Sequence, residues 1–88
     1  MGNFIGGSAY AMSRDIAEGL ILVNANVLKK FTPAEMKALT FELDRVQKEV
    51  RAEQPAVDDT QGIQKRGRKL SRITAALQII NLAMTRRS

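Results

Sequence analysis

Apolar side chains stand at Met36, Leu39, Leu43, Val46 and Val50, at spacings of three, four, three and four. That alternation gathers them on one stripe of an α-helix. Ile63, Leu70, Ile73, Leu77, Ile80 and Met84 continue the same pattern, broken only by Arg66 at a seam position. Two matching stripes joined by a short polar segment predict an antiparallel helical hairpin, with helices over 33–54 and 59–87. A third, weaker stripe runs through Ile16, Leu20, Val23 and Val27 and predicts a helix over 13–30. Ser13 stands at its start as an N-cap, Asp15 and Glu18 follow in the early turns, and Lys29 and Lys30 close it. Those charges complement the helix dipole at both ends. Gly19 lies inside this helix and weakens it by about 1 kcal/mol relative to alanine.

The start of the second helix carries the strongest local signals. Thr32-Pro33-Ala34-Glu35 reads as a capping box with proline in the first turn, and Phe31 and Met36 form a hydrophobic staple around it. Little chain separates the first two helices, so the corner between them is sharp. Pro55 disfavours helical geometry in the residue before it and ends the second helix by Gln54. Asp58, Asp59 or Thr60 caps the third.

Folding the hairpin about this connection sets Ile63 by Val50, Leu70 by Leu43 and Leu77 by Met36. The same register predicts a Glu42–Lys69 pair, with Arg66 reaching Glu49 or Glu53. Beyond Arg72 the third helix gains a second apolar face: Ala76, Ile79 and Ala83, with Ala75 and Leu82 alongside. The first helix is assigned to cover it, at the end of the hairpin remote from the loop. Residues 1–12 are Gly-rich and read as a loose arm. The expected fold is all-α, a single three-helix, bundle-like domain.

Composition narrows the chemistry. The 88 residues include no Cys, His or Trp. Thiol nucleophiles, histidine-based triads and nearly all zinc sites are thereby removed. No Gly-rich phosphate cradle occurs, and Asp58-Asp59 lacks the further oxygen ligands that a cation site needs at loop spacing. Neither an enzyme nor a cofactor or metal site is expected. The longest apolar run, Leu20 to Val23, is far too short to cross a membrane. No secretory leader is evident, so a cytoplasmic location is expected. The opening MGNFIG has Gly6 where a myristoylation site carries Ser or Thr.

Net charge is +5, which favours an acidic partner: a nucleic acid or an acidic protein surface. One segment concentrates it. Lys65, Arg68, Lys69 and Arg72 recur at intervals that share one side of a helix, with Arg66 between them. A strip of this kind suits the phosphates of a nucleic-acid strand. It equally suits a solvated face partly neutralised by Glu35, Glu42 and Glu49 of the neighbouring helix. Arg66-Gly67-Arg68 resembles the core of minor-groove hooks, but the helical period here opposes an extended hook. Gly67 is read as a position of close packing, a kink or fraying.

Phe41 sits almost opposite the seam of its helix, beside Ala34 and Ala38. That apolar patch meets the first helix, the arm, or another chain, a second copy included. Two functions follow as expectations. One is a small regulator that binds nucleic acid through Lys65, Arg66, Arg68, Lys69 and Arg72. The alternative is a protein-interaction module that uses Ala34, Ala38 and Phe41.

Overall fold

The computed structural model describes residues 4, 5 and 7–87. Four helices follow one another: α1 (Ala9–Ala17), α2 (Ala25–Leu28), α3 (Pro33–Ala52) and α4 (Thr60–Arg87). The protein is all-helical, and no strand occurs among the described residues. At 1.5 Å per residue α4 is about 42 Å long, nearly the whole 46 Å long axis of the molecule. It is the beam on which the rest is laid.

The start of α3 is built as its sequence predicts. Thr32 Oγ1 accepts from the Glu35 amide at 3.1 Å, and Glu35 Oε1 accepts from the Thr32 amide at 2.9 Å. Phe31 and Met36 are both buried. The seam residues Met36, Leu39, Leu43, Val46 and Val50 are buried too, against Ile73, Ala76 and Ile80 of α4 and the residues of α1. Asp59 caps α4, its carboxylate accepting from the Gly62 amide at 2.9 Å. Gly67 lies inside an unbroken helix, and a Cβ added there would meet nothing within 4 Å. It is neither a kink nor a close-packing position.

The N-terminal third departs from expectation. The predicted single helix over 13–30 is two helices separated by an extended segment, and α1 begins inside the expected arm, at Ala9. Residues 1–3 and 6 of that arm lie outside the described residues. Ser8, not Ser13, is the cap, accepting from the Ala11 amide. Ser13 is buried and donates its hydroxyl to the Ala9 carbonyl at 2.8 Å. The break comes at Gly19. Its φ of +82° is the left-handed conformation that glycine alone adopts without strain. The Gly19 amide donates to the Ile16 carbonyl and the Leu20 amide to that of Asp15, which makes a Schellman end to α1. Asn24, inside the helix predicted over 13–30, instead caps α2 through a 2.9 Å bond from the Val27 amide.

Position changes as well. Tyr10 and Arg14 of α1 both reach Glu49, near the C-terminal end of α3, and the Arg45 guanidinium lies 5.0 Å from the centre of the Tyr10 ring. Thus α1 covers the loop half of the hairpin rather than the remote half. The second apolar face of α4 is met by the extended Ile21–Val23, which lines a groove with Ala75, Ala76 and Ile79. In that segment side chains alternate. Ile21 is half-buried and Val23 buried, while Leu20 and Leu22 face solvent. A period of two replaces the helical period once Gly19 has ended α1.

Candidate functional site

The five basic residues from Lys65 to Arg72 of α4 do not form one free strip. Arg66 donates from Nε to the Val50 carbonyl at 3.2 Å and from Nη2 to the Arg51 carbonyl at 2.9 Å. These are carbonyls of the last turn of α3, at the negative pole of its dipole, and that of Val50 also accepts from the Glu53 amide at 3.1 Å. A planar guanidinium with several donors can serve two such carbonyls at once. The expected pairing of Arg66 with Glu49 or Glu53 is therefore replaced. Arg66 thus reaches the backbone of Val50, the residue beside which Ile63 is expected, and Ile63 itself is half exposed, at 49 %.

Lys69 does not meet Glu42. Its ammonium lies 3.3 Å from Glu18 and 3.7 Å from Glu53, the residues just past the ends of α1 and α3. Among the described residues Glu42 has Arg45 as its ion-pair neighbour, at 3.7 Å, too long for a hydrogen bond, and its Oε1 is buried without one. Arg72 donates from Nη1 to the Ala17 carbonyl at 3.0 Å, and its guanidinium lies over Gly19. Arg66, Lys69 and Arg72 thus hold the C-terminal ends of α3 and α1 onto α4.

Lys65 and Arg68 remain, both exposed and with no ion pair among the described residues. With Lys69, Arg72 and Glu18 they line a shallow concavity of about 360 Å³. Four cations against one carboxylate leave it positive.

The outer face of α3 stays uncovered. Phe41 is 70 % exposed, and Ala34 and Ala38 are exposed beside it. Neither α1 nor the described part of the arm packs there. Phe4 instead packs edge-on against Phe31, with ring centres 5.4 Å apart.

A third surface escaped the sequence. Leu20 and Leu22 are 74 % and 80 % exposed. Leu22 stands at the rim of the groove between Ile21–Val23 and α4, an apolar hollow of about 190 Å³. Arg72 lines both this groove and the basic concavity. The signal was present in the chain: Glu18-Gly19 followed by four apolar residues is a helix stop before an extended run. The helical spacing of Ile16, Leu20 and Val23 masked it.

Compared with known proteins, the chain matches no protein family, no curated protein and no solved structure. No described helix is long and apolar enough to cross a membrane.

Proposed function

We propose that the chain is a small non-enzymatic protein-interaction module whose contact face is the outer side of α3 around Phe41. One observation supports this above the rest: a phenylalanine 70 % exposed, preceded on the same face of α3 by two exposed alanines, Ala34 and Ala38. Burying a phenylalanine ring is worth about 1.5–3 kcal/mol, and the monomer gains little of it. Small flanking side chains let a partner helix come close, and Asp44 and Lys48, paired at 3.2 Å, supply a polar rim. Phe41→Ser should remove partner capture while changing unfolding stability by less than about 0.5 kcal/mol. A photo-crosslinking residue placed at Ala38 reads this directly. Cross-linked product from the parent chain should vanish in the Phe41→Ser background. Product that persists there, or no product at all, rejects the reading.

Nucleic-acid binding through α4 stands as the second reading, supported by the exposed Lys65 and Arg68 at an open, positive concavity. Because Arg66 and Lys69 have partners within the chain, two or three phosphate contacts are expected, not five. The logarithm of affinity should then fall against the logarithm of salt with a slope of about 2 to 3. Changing Lys65 and Arg68 together to Gln should flatten most of it, equally for every nucleic-acid sequence. A slope near 5 would mean that Arg66 and Lys69 leave their partners on binding.

A further inference from the structure

Val57 is the most exposed large apolar residue described, at 98 %, and it stands at the tip of the turn between α3 and α4. Asp58 follows it, also exposed and with no partner among the described residues. An apolar knob with a carboxylate beside it is the chemical complement of the groove at Leu22. That groove is apolar where Ile21, Leu22, Ala75 and Ile79 line it, and positive where Arg72 leads to Arg68 and Lys65. Its volume of about 190 Å³ admits one aliphatic side chain with room to spare.

The knob cannot reach the groove of its own chain. Between Thr60 and Arg72 the rigid α4 spans about 18 Å, and the turn projects from the end of the molecule. A second copy has no such restraint. We propose that the protein self-associates head to tail, with Val57 of one copy seated beside Leu22 of the next and Asp58 facing the Arg72–Arg68 cations. Knob and groove are different surfaces of one chain, so the contact is heterologous. It leaves a free knob at one end and a free groove at the other, and growth is open unless a ring closes. The contact is small, which places it in the weak, reversible class. Charge across it makes it sensitive to salt.

Light scattering of the full chain over a wide concentration range, at low salt, tests this. The average mass should climb steadily with concentration rather than level off at two chains, and added salt should lower it. Val57→Asp and Leu22→Asp should each weaken association by about tenfold or more with unchanged circular dichroism, since both sites are exposed. Asp58→Asn should weaken it less and remove most of the salt sensitivity. Mixing Val57→Asp with Leu22→Asp decides the geometry. The first keeps its groove and the second its knob, so the mixture should form pairs and nothing larger. Phe41→Ser should associate like the parent, which separates this contact from the α3 face. A chain that is monomeric at every concentration, a mixture that fails to pair, or loss of association in Phe41→Ser overturns the proposal.

Discussion

Replacing Leu43 by alanine is expected to lower the free energy of unfolding by about 2–5 kcal/mol. Leu43 is fully buried in the middle of the α3 seam, between Leu39 and Val46, which are themselves buried. Its loss removes transfer free energy and leaves a cavity that the surrounding helices close only in part. A domain of this size holds roughly 4–13 kcal/mol in total, so the substitution takes a large share of what there is. The midpoint of urea unfolding should fall with little change in slope. Leu82→Ala is the matched control. Leu82 is 60 % exposed, and its loss should cost under about 0.5 kcal/mol. Equal effects at the two positions would mean that the seam does not form the core.

Gly19 and Gly67 should answer the same substitution with opposite signs. At Gly19 an alanine must adopt φ near +82°, and its Cβ would lie 2.9 Å from the Arg72 guanidinium carbon. Residues in the left-handed region cost of order 1–3 kcal/mol when they are not glycine. Displacing Arg72 would also free the Ala17 carbonyl that it now satisfies. Gly19→Ala should therefore destabilise by about 1–3 kcal/mol, and Gly19→Val by more, since a β-branched residue fits that region worst. At Gly67 the backbone is helical and the space is open. Gly67→Ala should stabilise by up to about 1 kcal/mol, through helix propensity and a less disordered unfolded chain. Denaturant midpoints of the two variants read both effects. Stabilisation at Gly19 would contradict the Schellman end and the path of the chain after it.

The hairpin was legible because its signals are local. Spacings of three and four, a capping box, a proline at each end of α3 and an aspartate before α4 act within one or two turns. Neighbouring residues alone satisfy them, and the all-α class and the limits of α3 and α4 follow within about two residues. The place of Phe41 opposite the helix seam was legible for a related reason, but its exposure was not, since α1 or the arm could equally have covered it.

What the sequence left undecided turned on competition between distant groups. Glu42, Glu49 and Glu53 are all in reach of cations by helical spacing, and the pattern allows several pairings of similar worth. Exposed ion pairs contribute only about 0–1 kcal/mol each, so they cannot fix a register. Packing of α1 on the loop half settles the matter. It delivers Tyr10 and Arg14 to Glu49 and Glu18 to Lys69, and leaves Arg66 to the end carbonyls of α3. The site followed from that choice. Of five cations that share a segment, two remain open to a partner, because the other three hold helix ends that only the folded chain brings beside them. Gly19 shows the same division within one residue. The sequence allowed it as a costly helix interior or as a helix end. The tertiary structure makes it an end, because an extended Ile21–Val23 buries its inward side chains along α4 while the carbonyl of Ala17 meets Arg72. A continuous helix would forgo both contacts.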